Sequence, residues 1–166
     1  MTISQLFDNI GQALAVPQPH AELAGLTADS RQVRPGYAFV AYKGVAADGH
    51  DYIGRAIEAG ASAIACESLP ESLDPRVAWI KLADAQQALG LLASRWYGCP
   101  SERLTLVGVT GTNGKTTIAT LLYEMARLTG RKAGLLSTVA NKIDGETVPA
   151  THTTPDPLAL NALPGS

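Results

Sequence analysis

The sequence predicts an α/β protein in which short buried strands alternate with helices, followed by the start of a second, Rossmann-like α/β unit. The chain has 166 residues, and 46% of them are hydrophobic, which is enough for one domain or two small domains with apolar cores. Apolar runs of strand length alternate with segments of helical periodicity. A glycine-rich loop joins one of these runs to a helix, in the layout of a phosphate-binding loop.

Strands and helices are predicted along residues 1–98 from caps, turn residues and apolar spacing. Pro17 and Pro19 are placed to end a first amphipathic helix, and Gly60 is placed to end a second. In chain order we expect a helix over 4–15 with Ser4 as its N-cap, a strand over 37–42, a helix over 52–59, strands over 62–66 and 77–82, and a helix that Asp84 caps and that runs to about Tyr97.

The most informative stretch covers residues 104–117, where a strand-like apolar run leads into glycines, a lysine and two threonines. Glycine lets the backbone turn sharply, so that several N–H groups point at one anion, and the helix that follows adds positive charge. Lys115 can reach the β- and γ-phosphates, and the Thr116 hydroxyl can ligate Mg²⁺, a hard ion that prefers oxygen. This pattern predicts a nucleoside triphosphate site.

An ordinary glycine-rich turn is the alternative for this stretch, because Val109 stands where the commonest form of the loop has glycine. The flanking residues favour the phosphate loop, since a buried-strand pattern precedes it and helical spacing follows it. That helical spacing is carried by Ile118, Leu121, Leu122, Met125 and Leu128.

A break in the pattern at Gly98-Cys99-Pro100-Ser101 predicts a boundary between a domain over 1–98 and a second domain over 99–166. The second domain is expected to continue with a strand over 132–137 and a hairpin that turns at Asp144-Gly145. A last helix is expected to start at Pro157, with Asp156 as its cap.

A parallel nucleotide-binding domain needs more strands than this second segment supplies. We therefore expect the chain to be a truncated piece of a longer protein. Apolar side chains of the incomplete sheet should then be partly exposed, namely those of Leu106, Val107, Leu135 and Leu136.

Composition excludes several classes of protein. The net charge of −2 gives no reason to expect a nucleic acid or an anionic membrane surface as partner. No apolar run has membrane-spanning length and the N-terminus lacks the pattern of a signal peptide, so we expect a cytoplasmic protein without membrane insertion. Cys66 and Cys99 are expected to be free buried thiols, and no cysteine–histidine cluster has zinc spacing.

Three stretches together resemble the Mur ligases of peptidoglycan synthesis. Residues 26–31, 33–41 and 44–52 look like the N-terminal uridine-nucleotide domain of that family. Residues 111–117 resemble its ATP loop, and the stretch from 137 to 157 contains the loop Thr153-Thr154-Pro155-Asp156. The fold implied is the uridine-binding domain followed by the start of the central ATPase domain.

The resemblance implies roles for particular residues. Lys115 would offset charge in the transition state, and Thr116 would hold Mg²⁺. ATP would be bound by Gly111, Thr112, Asn113, Gly114, Lys115, Thr116 and Thr117; uridine by Ala28, Ser30, Val45, Ala46 and Ala47; and the muramoyl-peptide by His152, Thr153 and Thr154.

Simpler interpretations exist for several of these residues. Ser30 is suited to capping a turn, and Thr153 and Thr154 to satisfying backbone groups before a proline. His50 is expected to be a turn residue rather than a ligand, and Asp48 and Asp51 are expected to cap the helix that follows. No acid–base role is assigned to any of them.

The activity implied is ATP-dependent amide formation by a monomeric ligase. Its substrates would be UDP-N-acetylmuramoyl-L-alanyl-D-glutamate and a third amino acid, with meso-diaminopimelate expected more often than lysine. Alternatives are the sister ligase that adds D-alanyl-D-alanine, a non-catalytic nucleotide-binding module, and a GTPase-like switch. The switch is disfavoured because no base-reading motif follows the loop, and Thr116-Thr117 with the 151–157 loop favours the third-residue ligase.

Overall fold

The computed structural model describes residues 1–44, 47–137, 139, 141–148 and 157–162. The chain divides into two compact units, Met1–Cys99 and Pro100–Ser166. Within the described residues, the first unit holds a five-stranded sheet and the second a three-stranded sheet.

The first unit is an α/β layer built on a mostly parallel sheet. Strands β2, β3, β4 and β5 are parallel, and β1 pairs antiparallel with β5, giving the order β1-β5-β4-β3-β2. The elements are α1 Ile3–Phe7, β1 Gln12–Ala15, β2 Gly25–Thr27, β3 Tyr37–Ala41, a 3-10 turn Gly49–Tyr52, α2 Ile53–Glu58, β4 Ala63–Cys66, β5 Ala78–Lys81 and α3 Ala85–Trp96.

The core of this unit lies on the central strands. Every residue of β4 is buried, as expected for a strand covered on both faces. Helix α3 packs Leu89 and Leu92 against the core, and the Asp84 side chain caps the helix by accepting from the Gln87 N–H at 2.8 Å. The largest fully buried side chains are those of Trp79, Phe39, Leu6, Ile64, Ile80 and Leu92.

The structure confirms the predicted strands over 37–42, 62–66 and 77–82 and the helix from Asp84 to about Tyr97, with small differences at their ends. The predicted helix over 52–59 is also present, as α2 preceded by the 3-10 turn. Gly60 has a φ of +93°, the left-handed conformation expected after a helix.

The predicted helix over 4–15 is wrong beyond its first turns. Helix α1 ends at Phe7, and the N-cap is Thr2, whose side chain and that of Gln5 form a reciprocal capping box. The Arg95 side chain donates to the carbonyls of Leu6 and Asp8 and so satisfies the end of the helix.

The chain then crosses close to β5 and becomes a strand. A Cβ on Gly11 would lie 2.6 Å from the Ile80 side chain, so only glycine fits this approach. Pairing with β5 thus overrides the helical spacing of the apolar residues.

The described part of the second unit contains one long helix and a small antiparallel sheet. Asp144 and Gly145 both have positive φ, +46° and +102°, which confirms the predicted hairpin turn and matches its type I′ geometry. The elements are a 3-10 turn Pro100–Arg103, α4 Lys115–Leu128, β6 Gly134–Leu135, β7 Asn141–Ile143, β8 Glu146–Val148 and α5 Pro157–Asn161.

The predicted strand over 104–109 is wrong, and the strand over 132–137 is reduced to β6. In the part of the chain that the structure describes, no strand pairs with 104–109, and a strand needs a hydrogen-bonded neighbour. Leu106 and Val107 are 90% and 65% exposed, and Leu136 is exposed as predicted. Leu135 is buried, contrary to expectation, because β6 packs against α4.

The helix predicted after the glycine-rich loop is confirmed as α4, but most of its apolar side chains are exposed. Leu128 is 88% exposed, and Ile118, Leu121, Leu122 and Met125 are exposed as well. No helix among the described residues is long and apolar enough to cross a bilayer.

Tyr123 holds the hairpin to α4. Its ring is 4% exposed, and its hydroxyl accepts a hydrogen bond of 2.8 Å from the Gly145 N–H. The charged groups of Arg127 and Lys142 lie 5.9 and 5.7 Å from the ring centroid. A Cβ on Gly145 would lie 2.7 Å from the Arg127 guanidinium, so the turn fits closely against this side chain.

Leu92→Ala should lower the free energy of unfolding of the first unit by about 2–5 kcal/mol, because it opens a cavity beside the sheet. Leu92 is fully buried, whereas its neighbour Leu91 is 54% exposed, so Leu91→Ala is the matched control. Urea unfolding followed by tryptophan fluorescence measures both. Equal losses in the two variants would contradict the packing described for α3.

Tyr123→Phe removes one hydroxyl and keeps the ring. We expect a loss of about 1 kcal/mol in the second unit, typical of one hydrogen bond, and faster hydrogen exchange at the Gly145 amide. Tyr97→Phe is the control, since Tyr97 is 39% exposed on the first unit. Unchanged exchange at Gly145 would show that the hairpin does not depend on this contact.

Candidate functional site

The predicted uridine contacts lie at the edge of the first sheet where the parallel strands end. Ala28 and Ser30 follow β2, and Ala47 lies in the segment that follows β3. Because β2 and β3 are parallel neighbours, these two segments leave the sheet at the same edge. Ligands of open α/β sheets bind outside this carboxyl edge. Val45 and Ala46, the other predicted uridine contacts, are outside the described residues.

The segment after β2 is held by Asp29. Its carboxylate accepts from the backbone N–H of Arg31 at 2.9 Å and from the Arg31 guanidinium at 2.8 Å. The Arg31 side chain is the main cause that lowers the pKa of Asp29, so the carboxylate stays ionised at neutral pH. The hydroxyl of buried Thr27 accepts from the Asp29 N–H at 3.1 Å. Half-buried Ser30 is therefore presented on a fixed turn.

The segment after β3 forms a closed turn. The Gly44 N–H donates to the Ala47 carbonyl at 3.0 Å, and Lys43 pairs with Asp48 in an antiparallel bridge. A Cβ on Gly49 would lie 2.8 Å from the Tyr42 carbonyl oxygen, so the chain can return to the sheet only with glycine here. This closure places Ala47 at the exposed end of the turn.

A side-chain network that sequence reasoning missed connects this turn to the loop after β4. The Asp48 carboxylate accepts from the His50 backbone N–H at 3.0 Å and lies 2.6 Å from His50 Nδ1. His50 Nε2 lies 3.3 Å from the Ser68 backbone N–H, in the loop after β4. His50 was expected to be only a turn residue, so its contact with Ser68 was not predicted. The expected role as a cap is confirmed for Asp48 and is wrong for Asp51, which lies within the 3-10 turn and does not cap α2. No local sequence signal links residue 50 to residue 68.

The predicted phosphate loop precedes α4. Gly111 and Gly114 have φ of +143° and +77°, so the loop takes conformations that glycine adopts most easily. A Cβ on Gly114 would meet nothing within 4 Å, so space rather than crowding surrounds the loop. Open space beside a loop of left-handed glycines suits an anion that the backbone itself contacts.

The N-terminus of α4 differs from those of α1 and α3. Side chains of Thr2 and Asp84 cap those two helices, whereas α4 begins after Gly114, which offers no side-chain acceptor. The N–H groups of the first helical turn have no acceptor within their own helix. The dipole of this 14-residue helix adds positive charge at the same end, which favours a phosphate.

Lys115 folds back over the loop. Its ammonium group donates to the carbonyls of Gly111 and Thr112 and is exposed to solvent. An ammonium group has three N–H donors, so this position leaves a donor for a further acceptor. The side chain therefore lies beside the space that the glycines leave open.

Among the described residues, no group of three or more histidine, cysteine or acidic side chains could hold a metal ion. A magnesium ion at the loop would need the Thr116 hydroxyl together with phosphate and water oxygens, and these are the hard donors that Mg²⁺ prefers. The residues present thus fit a nucleotide-bound Mg²⁺ rather than a metal bound by protein alone.

The predicted muramoyl-peptide contacts His152, Thr153 and Thr154 are outside the described residues, as is the predicted cap Asp156. Helix α5 starts at Pro157, as predicted. The two cysteines are free, with Cys66 buried and Cys99 only partly buried. Burial raises the pKa of the Cys66 thiol to about 11, so it is unreactive at neutral pH.

Two family models match consecutive parts of the chain. The model described as Mur ligase family, catalytic domain, matches residues 22–97, and the Mur ligase middle domain matches residues 109–164. The first match contains the two loops at the edge of the sheet, and the second contains the glycine-rich loop and α4.

Curated relatives agree with these matches. The chain is 57% identical over 163 residues to the UDP-N-acetylmuramoyl-L-alanyl-D-glutamate–2,6-diaminopimelate ligase of Parabacteroides distasonis, covering 96% of this chain and 33% of the relative. It is 50% identical over 165 residues to the ligase of the same name from Bacteroides fragilis, covering 99% of this chain and 34% of that relative.

A solved structure of a ligase with this name has a TM-score of 0.75 at 24% identity, covering 97% of this chain and 32% of that chain, which shows a shared fold. The chain spans about a third of the length of the curated relatives it matches. Both family models and both relatives lead to one assignment: this chain belongs to the Mur ligase family.

Proposed function

We propose that the chain is part of an ATP-dependent ligase that adds diaminopimelate to UDP-N-acetylmuramoyl-L-alanyl-D-glutamate. The observation that carries this proposal is the 57% identity to a ligase of that name, which extends over 96% of the chain. The Bacteroides fragilis relative has the same name, and this name favours diaminopimelate over lysine as the added amino acid. We place the reaction in the cytoplasm because it consumes ATP.

We assign the two ends of the reaction to different parts of the chain. Residues 1–98 would bind the uridine nucleotide through Ala28, Ser30 and the turn that ends at Ala47. Residues 99–166 would form the start of the ATP-binding domain. The turn held by Asp29 and Arg31 supports the first assignment, because it fixes the backbone that a uracil ring would contact.

The chemistry proposed is activation of a carboxylate followed by amide formation. A carboxylate is a poor electrophile, so the terminal glutamyl carboxylate first accepts the γ-phosphoryl group of ATP, giving an acyl phosphate and ADP. The amine of diaminopimelate then attacks the acyl carbon, the amide bond forms, and inorganic phosphate leaves. Holding both reactants in one site lowers the entropic part of the barrier.

The glycine-rich loop would supply charge stabilisation for the first step. Phosphoryl transfer is catalysed mainly by positioning and by stabilising negative charge on the phosphoryl oxygens. The first-turn N–H groups of α4 and the Lys115 ammonium are the positive groups available at the loop. Thr116 would ligate Mg²⁺, which neutralises the charge of the triphosphate when it is bound.

A non-catalytic nucleotide-binding module is the alternative from another class. It predicts binding of both nucleotides without turnover in any longer protein that contains this segment. The assay described next distinguishes it from the ligase, because phosphate release and amide formation are measured directly.

Lys115→Ala in the longer ligase that contains this segment should reduce ligation more than tenfold while binding of the UDP-substrate stays within about twofold. The reason is that Lys115 lies at the glycine-rich loop, whereas the uridine contacts lie on the first unit. Phosphate release with ATP, Mg²⁺, UDP-muramoyl-dipeptide and diaminopimelate measures the reaction, and calorimetry measures binding.

Lys132→Ala is the matched control, since Lys132 is an exposed lysine outside the loop. This variant should keep wild-type turnover. If Lys115→Ala lost less than tenfold, a barrier change below about 1.4 kcal/mol, the role assigned to Lys115 would be wrong.

A further inference from the structure

We propose that His50 is a positioning residue of the uridine-nucleotide site. It holds the turn that follows β3 through its contact with Asp48 and braces this turn against the loop that follows β4. The inference rests on the proposed function, since it takes that turn as part of the uridine site.

Two ring nitrogens of His50 face two different partners. Nδ1 lies 2.6 Å from the Asp48 carboxylate, and Nε2 lies 3.3 Å from the backbone N–H of Ser68. The His50 side chain is 18% exposed, so its contact with Asp48 is partly shielded from water, whereas its contact with Ser68 is exposed. Ser68 is 18 residues away in sequence, which makes the ring a link between two separate loops.

These partners determine which nitrogen carries the proton. A backbone N–H can only donate, so Nε2 must accept from Ser68 and must be unprotonated. Nδ1 then carries the proton and donates it to the carboxylate of Asp48. The contact to Asp48 is a charge-assisted hydrogen bond, which is the stronger of the two.

The position of Asp48 determines the position of the turn. Lys43 pairs with Asp48 across the base of the turn, and the Gly44 N–H donates to the Ala47 carbonyl within it. His50 also donates its own backbone N–H to the Asp48 carboxylate, so the backbone and the ring hold one side chain. Loss of the ring removes the only one of these contacts that reaches the loop after β4.

The residue types in this turn imply that its backbone, rather than its side chains, would recognise the uracil ring. The predicted uridine contacts Val45, Ala46 and Ala47 have side chains without hydrogen-bonding atoms. A uracil ring can therefore form hydrogen bonds with this segment only through the backbone N–H and C=O groups of the protein. Recognition of that kind depends on where the backbone is held, and this is determined mainly by the stronger contact, between Asp48 and His50.

Three substitutions in the 166-residue chain separate the two contacts. His50→Ala removes both. His50→Asn keeps an N–H donor at the position of Nδ1, within reach of Asp48, but cannot reach Ser68. His50→Gln places an acceptor near the position of Nε2 but loses the Nδ1–H group that donates to Asp48. His20→Ala, at an exposed histidine of the same unit, is the control.

Binding of UMP and UDP is measured by calorimetry, and amide chemical shifts of Ala47 and Ser30 are followed on addition of UMP. We expect His50→Ala and His50→Gln to bind about tenfold more weakly than wild type, the effect of losing one charge-assisted hydrogen bond. His50→Asn, which loses only the weaker contact with Ser68, should bind about twofold more weakly than wild type, and His20→Ala should bind as wild type does. The Ala47 shift change should be lost in His50→Ala and kept in His50→Asn.

The variants also separate positioning from folding. The thermal midpoints of the asparagine and glutamine variants are measured, and UMP affinity is determined at a temperature at which both are fully folded. A difference in UMP affinity between them then cannot come from unfolding. Equal affinities in these two variants, or wild-type affinity in His50→Ala, would overturn the inference alone. Failure of the wild-type chain to bind either nucleotide would instead overturn the uridine site itself, and the inference with it.

Discussion

Parallel pairing of β2, β3, β4 and β5 is the constraint on which the first unit depends. The paired ends of these strands lie in register, with Thr27 opposite Phe39 and Cys66 opposite Lys81. Successive loops therefore start at one edge, and contacts such as that between His50 and Ser68 become possible between residues far apart in sequence. Alanines in β3 and β4 let the strands be buried on both faces, which parallel sheets require.

The second unit depends instead on glycines in the left-handed conformation. Gly114 sets the direction in which α4 leaves the glycine-rich loop, and Gly145 forms the tip of the hairpin. Tyr123 and Arg127 lie on α4 and contact that tip, so one helix is in contact with both features. The loop and the hairpin are thereby fixed to a common support.

Local signals explain which parts of the fold could be predicted from sequence. Caps such as Asp84 and continuous apolar runs such as residues 62–66 mark their elements whatever surrounds them. The error over 4–15 arose because Leu6, Ile10 and Leu14 have helical spacing, while pairing with β5 is a tertiary contact that spacing does not reveal. The same holds for residues 104–109, whose apolar run predicts a strand although no strand of the described residues pairs with it.

The candidate site likewise contains residues that could be predicted from the sequence and residues that could not. The glycine-rich loop is contiguous in sequence, so its residues could be named in advance, whereas the role of His50 depends on a loop brought close by the sheet. The resemblance to the family supplied Ala28 and Ser30, which no local pattern distinguishes from ordinary turn residues. Chemistry that is local in the chain is visible in the sequence, and chemistry assembled by the fold is not.

Strand β1 has a consequence for how the chain is made. Among the described strands it precedes all the others in the chain and pairs with β5 alone, so Gln12 must wait for Lys81 to emerge during synthesis. The parallel core of β2, β3 and β4 is complete before that partner exists. Assembly of this sheet therefore ends with pairing of an early element, because β1 can join the sheet only after β5 has been synthesised.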